Sequence, residues 1–227
     1  ARASLAIVDP TEVAMIGSAT PKFVTVCVAP HGIAVEAPPG TRAFLACYGE
    51  DAIGIVDVAN PDGPVERIPV APGVSGFGAP AYGPYAVVFS HDGKTLAVSD
   101  TESHDVRLFD PTTKTFDTTK TLSTLGGPEF TSWSDDDATL YVPAQQPDMI
   151  YAYTLATGDT KSVTFDKATC QNPHVVTQLE GRLYLVCEGD HTNPGTFVVL
   201  DEELNVVSSA PIGRYPDSFA LLPEGFQ

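Results

Sequence analysis

Positive charge is scarce in this sequence. Lysine and arginine together number 12 against 29 aspartate and glutamate residues, so the formal net charge is −17 at pH 7. Such a surface repels phosphate backbones and anionic lipid headgroups. Long apolar runs are also missing, and no stretch of about 18 apolar residues could cross a bilayer as a helix. We therefore expect no nucleic-acid partner and no membrane span.

Tryptophan and paired glycines are equally scarce. Trp133 is the single tryptophan and Gly126-Gly127 the single Gly-Gly pair, which excludes one WD or kelch motif per repeat. Helical periodicity is missing, whereas 19 glycines and 20 prolines punctuate the ends of apolar segments. The sequence also lacks a HExxH motif, a nucleotide-binding glycine motif and an adjacent nucleophile and base. These absences favour an all-β repeat protein without recognisable catalytic machinery.

A proline followed by an apolar strand recurs along the chain. The five prolines lie 54, 44, 45 and 43 residues apart, at Pro30, Pro84, Pro128, Pro173 and Pro216. A polar turn and a second apolar strand follow the first four prolines, which is the pattern of a propeller blade. We predict a five-bladed β-propeller of four-stranded antiparallel blades in one domain, with blades at about 30–83, 84–127, 128–172, 173–215, and 216–227 together with 1–29.

The fifth repeat is incomplete at the C-terminus. Residues 217–222 give only a first strand, whereas 4–8, 12–16 and 22–26 resemble second, third and fourth strands that lack a first. Joining the two ends closes a ring and removes exposed sheet edges. The alternative is a piece of a six- to eight-bladed ring. The chain begins at Ala1 without a basic-then-apolar leader, as expected for a mature or excised product.

The four cysteines fall at matching positions of two repeats. Cys27 and Cys170 each stand three residues before a Pro-His pair, and Cys47 and Cys187 end the following strand. Folding each strand back on its neighbour brings the members of each pair together, so we predict two disulfides within blades, Cys27–Cys47 and Cys170–Cys187. Four buried thiols, or a thiolate metal site, remain alternatives. Disulfides imply an oxidising compartment, hence a periplasmic, cell-surface or secreted protein.

The residue after each repeat proline starts the innermost strand of a blade, where the strands converge on the central channel. These residues are His31, Tyr85, Glu129, His174 and Asp217. Two imidazoles and two carboxylates suit a divalent transition metal such as copper, zinc, iron or manganese, so His31, Glu129, His174 and Asp217 are candidate ligands. The alternative is a ring of polar residues bonded to backbone or to channel water. No organic cofactor is expected.

The same face should carry the loops between second and third strands. Together with Tyr85, its candidate ligand-binding residues are Glu50, Asp100, His104, Asp190 and His191. The glycine-rich segment 71–83 should overhang this face, where Phe77 and Tyr82 could cover a ligand as a lid, although a tolerated surface insertion explains the segment equally well. His91 lies in a turn that should open on the opposite face.

The second repeat resembles a known propeller repeat. Residues 89–100, FSHDGKTLAVSD, followed by DVRLFD at 105–110 and Pro-Thr-Thr at 111–113, resemble the YVTN-type repeat of bacterial surface and periplasmic proteins. Proteins with such repeats are usually seven-bladed and range from binding proteins to lactonase-like enzymes, so the resemblance assigns no single activity.

Two functions remain open from the sequence. The first is a non-catalytic binding propeller outside the cytoplasm, with a protein or small-molecule ligand on the channel-mouth face and a divalent metal in the channel mouth. The second is a metal-dependent lactonase-like hydrolase, in which the ion activates water or polarises a carbonyl. The sequence leans towards the binding protein because ligand-type residues are present while acyl-transfer machinery is missing.

Overall fold

Strands dominate the structure of this chain. A computed structural model describes residues 2–9, 11, 15, 18, 20–72 and 81–220. Within these ranges the strands are joined by turns, with a single 3-10 turn at Tyr48–Glu50 and helical backbone at Thr11 and Met15. No helix in this part of the chain is long and apolar enough to cross a membrane. The predicted all-β class is confirmed.

The chain divides into two compact units. The first consists of Ala1–Phe89, Gly93–Ser103 and Arg107–Thr121. The second consists of Ser90–Asp92, His104–Val106 and Leu122–Gln227.

Three antiparallel sheets lie wholly or mainly in the first unit. A two-stranded sheet consists of β1 (Arg2–Ile7) and β2 (Lys22–Val28). A four-stranded sheet follows, with strands β3 (Pro30–Val35), β4 (Arg42–Cys47), β5 (Ala52–Asp57) and β6 (Glu66–Pro69) in that order. The next sheet has strands β7 (Pro84–Phe89), β8 (Leu96–Asp100), β9 (Asp105–Asp110) and β10 (Thr115–Ser123).

Two further sheets lie in the second unit. The first has strands β11 (Gly127–Pro128), β12 (Ser132–Trp133), β13 (Thr139–Gln145), β14 (Met149–Thr154) and β15 (Thr160–Thr164), with β11 and β12 both paired to β13. The second has strands β16 (Pro173–Leu179), β17 (Arg182–Cys187), β18 (Pro194–Asp201) and β19 (Val206–Arg214). From β13 to β15 and from β16 to β19 sequential strands are neighbours, which is the meander expected of a propeller blade.

The predicted strand starts agree with three of these sheets. First strands begin at Pro30, Pro84 and Pro173, each paired with the apolar strand that the sequence places after its turn. Proline is tolerated at these positions because the first residue of a strand need not donate to the ladder. Pro128 instead ends the short strand β11, and the strand predicted from it is interrupted before β12. Strand position therefore follows directly from the repeat pattern.

The fifth repeat departs from the prediction. Residues 216–220 form no strand, and 221–227 lie outside the described residues. Met15, the one described residue of the third strand predicted at 12–16, has helical backbone. β1 therefore pairs directly with β2, with Ser4 opposite Thr25. The predicted order, in which a third strand separates these two, is wrong because no strand among the described residues lies between them. Ring closure stays a prediction.

Each unit has its own buried core. In the first, Phe44, Ile53, Leu96 and Phe109 are fully buried. In the second, the fully buried side chains include Ile150, Leu183, Leu185 and Leu200. Burying one such side chain contributes about 1.5–3 kcal/mol, so these clusters hold the strands whose ends carry the polar residues of interest.

Both predicted disulfides are present, and they account for all four cysteines. The Cys170–Cys187 bridge ties the turn before β16 to the end of β17. The Cys27–Cys47 bridge joins β2 to β4, which lie in different sheets, so the prediction that it lies within one blade is wrong. The preceding strand ends close enough to β4 for the side chains to meet. Disulfides are consistent with an oxidising compartment.

Gly32 marks a close approach between β3 and β7. A Cβ added at Gly32 would lie 2.8 Å from Ala86 Cα and 2.9 Å from the Tyr85 carbonyl oxygen, so backbone would have to move. We expect Gly32→Ala to lower the free energy of unfolding by about 1–3 kcal/mol, as in other overpacked sites. Gly213→Ala is the control because nothing lies within 4 Å of its added Cβ. Urea unfolding measures both, and equal stability of the two variants would contradict the close approach.

Candidate functional site

A gap between β11 and β12 brings Glu129 to His174. Between β11 and β12 the backbone of Phe130 turns to β16, where its N–H donates to the His174 carbonyl oxygen at 3.0 Å. The Val176 N–H donates to the Phe130 carbonyl oxygen at 3.2 Å. Glu129 itself remains tied to β13 through its N–H and the Pro143 carbonyl oxygen, 2.9 Å apart. The two neighbouring sheets of the second unit are thus joined between the gap that carries Glu129 and the start of β16 at His174.

Glu188 reaches the same place from the end of β17. Pro173 lies opposite Cys187 in the β16–β17 ladder. The Glu188 N–H donates to the Asn172 carbonyl oxygen at 2.9 Å, so the chain is still bound to β16 one residue beyond the strand. This fixes Glu188 beside His174.

Three carboxylates surround the His174 ring. Its Nδ1 lies 3.4 Å from Glu188 Oε1 and 3.6 Å from Glu129 Oε2, while its Nε2 lies 3.5 Å from Asp217 Oδ1. The His174, Glu129 and Glu188 side chains are 3%, 8% and 7% exposed, whereas Asp217 is 72% exposed. The ring therefore has two buried carboxylates on one side and a solvent-facing carboxylate on the other.

These separations are longer than direct hydrogen bonds. Charge-assisted N–H···O bonds are usually about 2.7–2.9 Å long, which is shorter than all three contacts. One ligand atom each of His174, Glu188 and Asp217 lies within 4.8 Å of the others. Two ligand atoms of a tetrahedral ion lie about 3.3 Å apart, so these side chains are near enough to close on an ion. Glu129 Oε2 is buried without a hydrogen-bond partner among the described residues, which places unused ligand capacity beside them.

His191 and Gln145 hold the outer oxygen of Glu188. His191 Nε2 lies 3.2 Å from Glu188 Oε2, and the Gln145 amide donates to the same oxygen at 3.4 Å. The His191 ring is half-exposed and meets Tyr215 edge-on, with 4.1 Å between ring centroids. His191 therefore lies beside the cluster and contacts it through Glu188, while its place on a ligand-binding face stays a prediction.

Asp190 has a different task. Its carboxylate caps the turn that carries His191 and accepts bonds from the backbone N–H groups of Thr192 and Asn193. The Asn193 backbone N–H, the Asn193 side chain and the Thr192 N–H lower the pKa of Asp190 to about 2. The side chain is exposed and is used by the turn.

Burial dominates the electrostatics of the inner carboxylates. Desolvation, followed by the charge of Glu188, raises the pKa of Glu129 to about 8. A carboxyl group in this position keeps its proton at neutral pH unless a cation stabilises the charged form.

The first unit repeats the same framework with different chemistry. His31 follows Pro30 as His174 follows Pro173, but its ring lies between Tyr85, at 4.4 Å, and Tyr48, at 5.4 Å. Tyr48 occupies the place of Glu188 after the second cysteine. Burial lowers the pKa of His31, which leaves the ring neutral at pH 7. This histidine has an aromatic setting where its counterpart has carboxylates.

The other residues predicted for the ligand-binding face have mixed roles. Glu50 is buried and accepts from Arg67 Nε at 2.9 Å, so it is a structural ion-pair partner. Asp100 is fully buried, 3.4 Å from Arg107 Nε, and the Arg107 guanidinium lies 4.6 Å from the centre of the Tyr82 ring. The His104 side chain is exposed, and its carbonyl oxygen accepts from the Thr124 N–H at 2.9 Å.

The structure describes only the two ends of the proposed lid. Phe77 lies in 73–80, outside the described residues. Its C-terminal end is firmly held by Asp51, whose carboxylate accepts the backbone N–H groups of Ala81, Tyr82 and Gly83 at 2.8–2.9 Å. The anchoring carboxylate was not predicted from the sequence.

Glu188 is the member of this cluster that sequence reasoning missed. The matching cysteine positions align Tyr48 with Glu188, and His31 lies beside Tyr48 in the structure. Applying the same alignment to the second pair would have placed Glu188 beside His174. The signal was present in the duplicated cysteine pattern.

Comparison with known proteins finds the fold but no family. No protein-family model and no curated protein matches the sequence. A solved structure from Lactobacillus plantarum aligns over 93% of this chain and 66% of its own, with TM-score 0.69 and 16% identity. A Bacteroides uniformis structure named "putative 6-phosphogluconolactonase" aligns over 92% of this chain and 65% of its own, with TM-score 0.65 and 16% identity. The WD40 repeats of RRP9 align over 82% and 51%, with TM-score 0.60 and 14% identity.

These likenesses concern the fold alone, because every identity is far below 25%. WD40 repeats build β-propellers, so the likeness supports the predicted propeller fold. The chain spans about half to two thirds of the length of these structures.

The raised pKa of Glu129 predicts a pH-dependent stability in protein freed of metal by a chelator. Between its ordinary value of 4.5 and about 8, the folded state keeps a proton that the unfolded chain releases, so stability should fall as pH rises through this window. The loss by pH 8 is on the order of 4 kcal/mol. Glu129→Gln, which resembles the neutral acid, should remove this slope in urea unfolding at pH 5 and 8. Parallel pH profiles would contradict the assignment.

Proposed function

We propose that this chain is a β-propeller domain that binds a divalent transition metal at His174, Glu188 and Asp217. The surface around the ion, including His191 and Tyr215, then serves to bind a protein or small-molecule partner. The observation that carries this proposal is the cluster of one imidazole and three carboxylates, two of them buried, at the start of β16. Imidazole and carboxylate ligands suit zinc, copper, iron and manganese.

The arrangement around His174 supports an ion on the solvent-facing side. A metal near Nε2 would be reached by the exposed Asp217, while Nδ1 would face the buried Glu129. Glu188 Oε1 now lies on the Nδ1 side, so coordination by all three residues requires the Glu188 carboxylate to turn towards Nε2. Metal-bound histidines usually donate their second ring N–H to a carboxylate, which fixes the tautomer and the ring orientation. Three protein ligands would leave a position for water or an external ligand, the pattern of open zinc sites.

The setting of the protein is part of the same proposal. Two disulfides favour a periplasmic, cell-surface or secreted location. The YVTN-type resemblance of the second repeat agrees with that location. We also propose five blades, with 1–29 and 216–227 completing one of them. Four described sheets and the β1–β2 pair support this count.

Metal content tests the proposal directly. Protein purified without a metal-affinity tag and reloaded with zinc should hold about one ion per chain by inductively coupled plasma mass spectrometry. His174→Ala should lose the ion and remain folded by circular dichroism, because the two disulfides and the buried cores stay intact.

His31→Ala is the matched control for this experiment, since the same framework surrounds both histidines. Binding that survives His31→Ala supports a site built from the second unit, whereas loss in both variants would favour the ligand set predicted from sequence. A wild-type chain without stoichiometric metal after reloading would refute the metal site.

Lactone hydrolysis is the second candidate function. It is favoured by the alignment of 92% of this chain with a structure named for 6-phosphogluconolactonase activity. At the proposed site a metal ion would polarise the lactone carbonyl or lower the pKa of bound water. Whether the protein is an enzyme then depends on the open coordination position.

Hydrolysis can be followed by proton release in a pH-stat with six-membered sugar lactones. The zinc-loaded wild type should release protons faster than the buffer blank, and His174→Ala should fall to the blank rate. A loaded wild type that matches the blank would eliminate the hydrolase and leave the binding function.

A further inference from the structure

The Cys170–Cys187 disulfide lies directly behind the proposed metal site. Cys187 immediately precedes Glu188, and Cys170 stands four residues before His174. Both cysteines are fully buried. One covalent bond therefore ties together the two chain segments that carry the paired imidazole and carboxylate.

Hydrogen bonds complete this connection. The Glu188 N–H donates to the Asn172 carbonyl oxygen and the Gly189 N–H to the Gln171 carbonyl oxygen, each at 2.9 Å. The Asn172 side-chain amide donates to the Gly189 carbonyl oxygen, also at 2.9 Å. Asn172 has a φ of 53°, the left-handed conformation that asparagine tolerates well, and this turns the chain into β16. The separation of His174 and Glu188 is thus set by backbone and disulfide together.

The first unit shows that this framework is separable from metal chemistry. Ala29 has a φ of 47° at the position of Asn172, and the Tyr48 N–H donates to its carbonyl oxygen at 3.1 Å. The Cys27–Cys47 bridge occupies the place of Cys170–Cys187. The frameworks match, while the residue after the second cysteine is tyrosine in one and glutamate in the other.

We infer that the Cys170–Cys187 disulfide and Asn172 are positioning elements that set the metal affinity of the His174–Glu188 site. The inference rests on the proposed metal-binding function. A ligand pair that is already in place before the ion arrives does not have to be ordered on binding. Less of the binding free energy is then lost to ordering. Without the bridge the turn at 166–172 loses its covalent tie to β17, and the two ligands separate more readily.

The chain offers a matched control because its two disulfides close loops of similar size. The bridged cysteines are 17 residues apart in the second unit and 20 in the first, so the loop-entropy effects on stability are nearly equal. Alanine replaces each cysteine, since an apolar side chain suits a fully buried position. The double variants are C170A/C187A and C27A/C47A.

Zinc affinity is measured on the full-length protein by competition with a chromophoric chelator. C170A/C187A should bind zinc about 10-fold more weakly than wild type, the loss typical of changes behind the direct ligands. The zinc affinity of C27A/C47A should stay within about 2-fold of wild type, a smaller change than that expected for residues behind the direct ligands. Cobalt substitution provides a second readout, because altered ligand geometry changes the visible absorption of bound cobalt, which a loss of stability alone does not.

Asn172→Ala tests the hydrogen-bonded part of the framework with the disulfide intact. Alanine is accepted at the equivalent position of the first unit, so the variant should fold. Its zinc affinity should fall between those of wild type and C170A/C187A, and this variant decides the question if C170A/C187A does not fold.

Three results would overturn the inference: wild-type affinity in folded C170A/C187A, equal losses in both disulfide variants, or wild-type affinity in Asn172→Ala when C170A/C187A is unfolded. A wild-type chain that binds no zinc would instead remove the proposed function itself, and the inference with it.

Discussion

The backbone of Phe130 bonds sideways to β16, and the candidate site depends on this pairing. If Phe130 paired within its own sheet, the strand would continue from Pro128 to Trp133. Glu129 would then not be brought to His174. By exchanging two hydrogen bonds with His174 and Val176, it brings a carboxylate and an imidazole together in a buried place. Burial of ionisable groups costs free energy unless they are paired, protonated or bound to a cation. Burial raises the pKa of Glu129 because the protonated form avoids this cost.

In the second unit three buried ionisable side chains lie together at one site. Glu129, His174 and Glu188 are nearly inaccessible to solvent, whereas Asp217 is exposed on the far side of the same ring. Buried ionisable groups with strongly perturbed pKa values are common at functional sites. A bound cation would relieve the repulsion between Glu129 and Glu188 and satisfy the remaining oxygen atoms. This reasoning connects the packing of two sheets with a chemical role.

The two disulfide-braced frameworks separate what a fold supplies from what side chains supply. Both place a histidine at the start of an innermost strand and a second residue beside it, after a buried cystine. The first unit surrounds its histidine with tyrosine rings and the second with carboxylates. The geometry is therefore general, and the chemistry depends on a few substitutions such as Tyr48 against Glu188. Propellers with similar folds can differ in function for this reason.

Local patterns account for most of what could be predicted from the sequence. The strands at Pro30, Pro84 and Pro173, and the pairing of Cys170 with Cys187, follow from neighbouring strands that fold back on each other over short turns. The Cys27–Cys47 pair was also found, although its assignment to one blade failed because β2 belongs to another sheet. The predicted order of the N-terminal strands failed as well, because β1 pairs directly with β2.

By itself, then, the sequence determined the all-β class, the strand positions, the cysteine pairs and the histidine that starts β16. The tertiary structure alone decided that Glu188 joins Glu129 and Asp217 beside this histidine while His31 meets tyrosines, and that Asp51, Glu50 and Asp100 serve as internal anchors. The physical reason is that repeat periodicity encodes contacts within a sheet. Contacts between sheets, such as that of Phe130 with β16, arise from packing and leave no period in the sequence.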